Sequence, residues 1–242
     1  SQHQLLSVDE WMTILGAFHQ VGVKAVRLTG GEPLLYPHIE ELLARIKQTG
    51  WFEDISMTTN GSLLSLRAAK LKELGLNRVN ISLDSLDSDA LALCVGKANQ
   101  LDSVLNGIQS AIDAGFTSVK INTVLSRHWT DDEVHDLLHY VETWPVIWRF
   151  IEYMPFQGDA FHGPTFDEWK AQLERVSGGI LTENHDVYGF GPATYYNLPS
   201  GKEIGFIFSM SHSYCDTCNR VRLTSDGQMR LCLLRDDEAD LV

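Results

Sequence analysis

Residues 23–33 read VKAVRLTGGEP. The first six residues are mostly apolar and rich in β-branched side chains, so they read as a strand. Two adjacent glycines follow, where backbone N–H and C=O groups can approach a ligand because no Cβ stands in the way. Pro33 then fixes the exit from the turn. An ordinary strand-to-helix turn would account for two glycines alone. With Glu32 and Pro33 added directly after an apolar strand, a ligand-binding turn is the better reading.

Outward from this turn the chain repeats one order. Residues 8–21 carry apolar residues at helical spacing with Asp9 and Glu10 in the first turn. After the turn, 38–49 reads as a helix and EDISMTTNG (53–61) as a strand ending in a turn. Helix 65–74 precedes strand NRVNISLD (77–84), and helix 101–114, stopped by Gly115, precedes TSVKINTVL (117–125). Helix 131–142 leads to VIWRFIEYM (146–154). Strand–helix alternation at this spacing predicts right-handed βαβ units and a parallel sheet of class α/β. Beyond residue 155 the order changes to a loop, a helix over 166–177, and an antiparallel pair from YGFGPATYYNLP and KEIGFIFS. In parallel sheets chemistry sits at the C-terminal strand ends. TGGEP, TTNG, SLDS, Lys120 with Asn122, and Arg149 with Glu152 and Met154 all fall there.

The chain has 242 residues, 44% of them hydrophobic, and a formal net charge of −13. That length holds one large domain or two small ones. The acidity disfavours general nucleic-acid binding but leaves room for a small anion held by local arginines. No run of apolar residues is long enough to span a membrane, and no secretory leader is visible. Three of the four cysteines cluster as C-x2-C-x13-C at Cys215, Cys218 and Cys232. That spacing reads as metal ligands in a reducing compartment, with zinc and iron–sulfur equally compatible. Cys94, in ALALCVGK, reads as a buried hydrophobe. His128, His135 and His139 read as surface residues, and the six tryptophans as core and rim packing.

LTGGEPLL (28–35), TTNG (58–61), NISLDSL (80–86), VKINTV (119–124) and RFIEYMP (149–155) resemble, in order, the motifs of radical S-adenosylmethionine enzymes. CDTCNRVRLTSDGQMRLCL (215–233) resembles the second iron–sulfur motif of their GTP 3′,8-cyclase branch, and the likeness covers residues 5–234. The resemblance implies a partial (β/α)6 TIM-type barrel over 1–155 and a C-terminal α+β region over 156–242, packed on the barrel and carrying the cysteine cluster. It implies S-adenosylmethionine contacts at Gly30, Gly31, Glu32, Ser82 and Met154. It implies a GTP site at Arg27, Thr58, Lys120, Arg149, Arg220 and Arg222. Structural ion pairs are the competing reading for these cations, with Glu152 the nearby partner for Arg149. Cys215, Cys218 and Cys232 would ligate an auxiliary [4Fe–4S] cluster whose fourth iron stays open to the purine. No residue is assigned as catalytic.

The implied reaction is hydrogen abstraction from C3′ of GTP by a 5′-deoxyadenosyl radical, then attack on C8, giving 3′,8-cyclo-7,8-dihydro-GTP for molybdenum cofactor biosynthesis. An electron donor, a downstream enzyme of that pathway and a cytoplasmic setting are implied too, and a homodimer is compatible. The family's C-x3-C-x2-C motif, which holds a second [4Fe–4S] cluster, is not in this sequence. A chain truncated before its first strand is the expectation, and such a chain alone is expected to be inactive. Thr224 stands where the family often has a third arginine. The rival readings are another radical enzyme with an auxiliary cluster, or a zinc-binding module on an inactive barrel.

Overall fold

The computed structural model describes residues 5–95, 100–155, 163–185, 191–211, 215–232 and 238–240. The chain runs α1 (Val8–Gln20), β1 (Ala25–Leu28), α2 (Ile39–Thr49), β2 (Asp54–Thr59), α3 (Ala68–Glu73), β3 (Arg78–Ser82), α4 (Ser88–Val95) and α5 (Leu101–Asp113). Next come β4 (Ser118–Val124), α6 (Asp131–Thr143), β5 (Ile147–Ile151), α7 (Phe166–Ser177), β6 (Thr182–Asn184), β7 (Thr194–Asn197) and β8 (Glu203–Ile207). The last strands are β9 (Arg222–Leu223), β10 (Gln228–Arg230) and β11 (Glu238–Asp240). Three helices start alike. Ser7, Thr130 and Thr165 cap α1, α6 and α7, and Glu10, Glu133 and Glu168 reach back to the cap backbone. Each capping box satisfies donors that a helix start leaves open.

One sheet has the order β1-β2-β3-β4-β5-β8-β7-β6. β1 to β5 pair in parallel, as the alternation predicts. β7 and β8 form the predicted antiparallel pair. The sequence reading did not anticipate that β8 also lies parallel to β5. β8 is thus a sixth parallel strand, reached through α7, with the β6–β7 hairpin continuing the sheet beyond it. The resulting mixed α/β sheet is consistent with a partial TIM-type barrel.

Period-two alternation separates the two faces of this sheet. Ile55, Met57, Val79, Ile81, Val119, Ile121, Trp148, Phe150, Ile204 and Phe206 are buried and share one core with the inward faces of the helices. Trp169 of α7 has no exposed surface and packs edge-on to Phe150, ring centres 5.1 Å apart. Burying such a ring contributes roughly 2–3 kcal/mol. The opposite face is polar.

β9, β10 and β11 form a separate antiparallel sheet. Its first turn touches the other end of the chain, where the Leu6 N–H donates to the Ser225 carbonyl at 2.9 Å. The C-terminal region therefore reaches from β8 back to the segment leading into α1. Among the described residues no helix is long and apolar enough to cross a membrane. His128, His135 and His139 are exposed, while Trp129, Trp148 and Trp169 are buried. The side chain of Cys94 lies outside the described residues.

Candidate active site

The strand register brings separated polar residues into rows. Arg27 of β1 pairs with Ser56 of β2, and Ser56 with Arg78 of β3. Thr58, Asn80 and Lys120 form the next row, and Ser82, Asn122, Arg149 and Gly205 the one beyond. Four cations, Arg27, Arg78, Lys120 and Arg149, thereby share the polar face. Arg78 is paired with Asp54, Nε to Oδ1 at 2.7 Å.

Arg149 extends from β5 across its neighbours. Its Nε donates to Asn122 Oδ1 at 2.9 Å and its Nη2 to Asn80 Oδ1 at 2.6 Å. Glu152 is engaged elsewhere, accepting from the N–H groups of Met210 (2.6 Å) and Ser211 (3.1 Å). Two neutral amides, and not Glu152, therefore orient the Arg149 guanidinium among the described residues. Burial pulls Arg149 down to about 10, with Arg27 and Arg78 acting in the same direction and Tyr195 against them. The group remains cationic at neutral pH.

Lys120 is buried, and its Nζ donates to the Tyr195 hydroxyl at 3.0 Å. Burial pulls this lysine down to about 7, reinforced by Arg149, Arg78 and Arg27 and opposed by Glu203. Arg27 is lowered first by burial, then by Arg78 and Arg220. Such mutual repulsion in a desolvated place favours an anionic ligand.

The glycine turn lies at one rim of this face. Gly30 has φ +141°, a conformation that side chains rarely adopt, and a Cβ at Gly30 or Gly31 would meet open space. Glu32 fixes the turn to the end of β2. One carboxylate oxygen accepts from Thr59 Oγ1 (2.8 Å) and Leu34 N–H (3.0 Å), and the other from Asn60 N–H (2.8 Å). The two glycines thus present bare backbone from a pinned loop, which fits close approach by a cofactor's polar end. Ser82 is exposed at the end of β3, and the Met154 sulfur accepts from the Ser209 hydroxyl at 3.3 Å.

Cys215 opens a short 3-10 turn and is exposed, as is Cys218, while Cys232 is half-buried just past β10. None is in a disulfide. The Arg220 N–H holds the Cys218 thiol below its usual range, helped by the Arg220 and Arg222 side chains and opposed by burial. A thiol biased towards thiolate suits a soft metal ligand. Among the described residues no three His, Cys, Asp or Glu side chains are gathered as a metal site. Arg222 lies on β9 opposite Arg230. Thr224 closes the β9–β10 hairpin, its Oγ1 accepting from Gln228 N–H at 2.8 Å and donating to Asp226.

Of the residues singled out in the sequence, Arg27, Thr58, Lys120 and Arg149 thus share one sheet face, with Arg220 within electrostatic reach of Arg27 and the glycine turn at the rim. Arg78, Asn80 and Tyr195 were missed. Arg78 and Asn80 carried a usable signal, because they alternate with apolar residues along β3 in step with Ser82. Tyr195 carried none, since its approach depends on β7 joining the sheet.

Residues 1–141 match the radical SAM superfamily, and residues 146–242 match the family described as Molybdenum Cofactor Synthesis C. The chain is 41% identical to GTP 3',8-cyclase 2 of Pseudomonas aeruginosa, over 98% of this chain and 72% of that protein. It is 40% identical to the GTP 3',8-cyclase of Pelotomaculum thermopropionicum, over 98% of this chain and 74% of the relative. Among solved structures, Streptococcus suis SuiB bound to S-adenosylmethionine resembles it with a TM-score of 0.67 at 16% identity. That alignment covers 97% of this chain and 56% of SuiB, a likeness of fold alone. With both halves matched and this level of identity across almost its whole length, the chain belongs to the radical SAM superfamily and, within it, to the GTP 3′,8-cyclase family.

Proposed function

We propose that this chain is the substrate-binding core of a radical cyclase that converts GTP to 3′,8-cyclo-7,8-dihydro-GTP in molybdenum cofactor biosynthesis. The observation that carries the reading is the cationic sheet face, with Arg27, Lys120 and Arg149 projecting from three strands and Arg220 within electrostatic reach of Arg27. Local positive charge of this density, in a chain of net charge −13, suits a triphosphate. Arg27, Lys120, Arg149, Arg220 and Arg222 would bind its phosphates, with Thr58 on the same face. Fixed planar donors such as the Arg149 guanidinium lower the ordering cost of that binding.

Gly30 and Gly31 would offer backbone groups to S-adenosylmethionine, with Ser82 and Met154 at neighbouring strand ends and Glu32 holding the turn. Bound beside a reducing [4Fe–4S] cluster, this cofactor supplies radical hydrogen abstraction. The chain's own residues bind the nucleotide, orient its ribose and limit water around it. Cys215, Cys218 and Cys232 would ligate an auxiliary [4Fe–4S] cluster, a role that suits their thiol chemistry. We read residues 1–155 as the main barrel part and 156–242 as the cluster-bearing part, which also lends β8 to the barrel sheet. An electron donor, a downstream enzyme accepting the cyclised nucleotide, a reducing cytoplasmic setting and a homodimer are compatible with this reading.

Calorimetric titration tests the substrate. GTP should bind about 100-fold more tightly than guanosine, and Arg149→Ala should remove about tenfold of that affinity. Equal affinity for GTP and guanosine would refute the triphosphate site. Anaerobic reconstitution tests the cluster: about four irons with matching sulfide per chain, lost in Cys215→Ala, are expected. One zinc without sulfide would replace the cyclase with a zinc-stabilised binding module.

A further inference from the structure

Tyr195 stands on β7, beyond the parallel strands, yet its ring ends among their charges. Its hydroxyl lies 3.0 Å from Lys120 Nζ, and its ring shares the space above Gly205 with the Arg149 side chain, whose charged form it favours electrostatically. The register explains how one side chain meets both. Tyr195 pairs with Gly205 of β8, and Gly205 pairs with Arg149 of β5. A Cβ on Gly205 would stand 2.8 Å from Arg149 Cγ and 3.0 Å from Tyr195 Cε1. The first distance is shorter than real side chains show and the second is tighter than nearly all of them, so bare backbone at 205 lets the two converge over β8 without displacement.

We propose that Tyr195 is a positioning residue whose hydroxyl joins Lys120 and Arg149 into one anion-receiving pair, and that Gly205 provides the gap that makes this possible. The proposal rests on the nucleotide reading only for the identity of the anion. The chemistry of a phenol fits the task. Its oxygen can accept from a guanidinium and an ammonium together, and its single proton can instead be donated to a neutral amine. It therefore holds Lys120 in place in either protonation state without adding a competing negative charge. Around Lys120 stand Arg149 from β5, Arg78 from β3, Arg27 from β1 and, opposing them, Glu203 from β8. Removing the hydroxyl takes an acceptor from a crowded cation and leaves the repulsion intact, so protonated Lys120 becomes harder to keep.

The test is a pair of titrations on the full chain with Tyr195→Phe, and with Tyr196→Phe as control. Tyr196 loses the same hydroxyl on the opposite face of β7, where its ring packs on Phe206. NMR of the lysine side chains reads the Lys120 midpoint directly. It should fall by about one pH unit in Tyr195→Phe and stay unchanged in Tyr196→Phe. GTP affinity in Tyr195→Phe should drop about tenfold at pH 7.5 and only about twofold at pH 6, where Lys120 keeps its proton. Gly205→Ala, which crowds both side chains but keeps the phenol, should also weaken GTP about tenfold. An unmoved Lys120 midpoint, or a loss of affinity equal at both pH values, overturns the positioning role. Unchanged binding in Gly205→Ala overturns the role of the gap. If the midpoint moves but wild-type protein binds no GTP, Tyr195 is upheld and the nucleotide reading falls.

Discussion

Arg149 reaches Asn80 across an intervening strand: Nη2 on β5 donates to Oδ1 on β3 at 2.6 Å, over the row that carries Asn122 of β4. The Asn80 amide is itself anchored, its Nδ2 donating to the Met57 carbonyl at 3.2 Å. The guanidinium is thus placed by strands β2, β3 and β4 together.

Asn80→Ala removes an acceptor from a buried cation. A hydrogen bond to a charged group contributes about 1.5–3 kcal/mol. Urea unfolding should show a loss of about 2 kcal/mol, and calorimetry about tenfold weaker GTP binding. A variant with unchanged nucleotide affinity would mean that Asn122 and Tyr195 suffice to place the guanidinium.

Glu32→Gln tests the pinned turn. The carboxylate accepts three hydrogen bonds across its two oxygens, and an amide must turn an NH2 towards one set of donors. The expected cost is about 1–3 kcal/mol of stability, together with weaker S-adenosylmethionine binding. Denaturant melts and ligand titration measure the two effects separately. Loss of stability with cofactor affinity intact would restrict Glu32 to folding.

Stability should rise with pH above neutrality through Lys120. Its folded value is about 7 against an ordinary 10.5, so between those limits the unfolded chain binds more protons than the folded one. Below pH 7 the lysine is charged in both states and its burial costs most. As pH climbs towards 10 the cost disappears. Lys120→Met removes this dependence, so its stability advantage over wild type should shrink by a few kcal/mol between pH 6.5 and 9.5. A constant difference across that range would contradict the buried, depressed lysine.

Thr224→Val should lower stability by about 1 kcal/mol, because the hairpin turn loses the hydroxyl that accepts from Gln228 N–H. Thr224→Arg should not tighten GTP binding, since position 224 belongs to the turn. A several-fold gain in affinity would show instead that the hairpin can bring a third arginine to the phosphates.

Much of the site was legible because strand periodicity and position are written locally. Arg27, Lys120 and Arg149 each interrupt an apolar strand, and TGGEP directly follows one, so their placement at a parallel sheet's working rim follows from the chain itself. Asn80 and Arg78 obey the same alternation and were open to the same reading. Tyr195 was not, because a tyrosine in a short C-terminal strand has no local mark of where its hydroxyl ends. The expected contest between Arg149 and Glu152 was also undecidable locally, since it turned on the N–H groups of Met210 and Ser211, which come near Glu152 only when β8 pairs with β5.

By itself the sequence determined the alternation, the helix starts and the glycine turn, because each depends on residues within one or two turns of one another, and the family likeness, because it depends on the order of short motifs along the chain. Tertiary structure alone decided that β8 completes the parallel strands, that Tyr195 and Arg149 meet over Gly205, and that Arg220 comes within electrostatic reach of Arg27. These relationships join residues about 45 to 190 positions apart. They form only when the apolar sheet face is buried under the helices, which fixes the register and turns the charged residues to the other side.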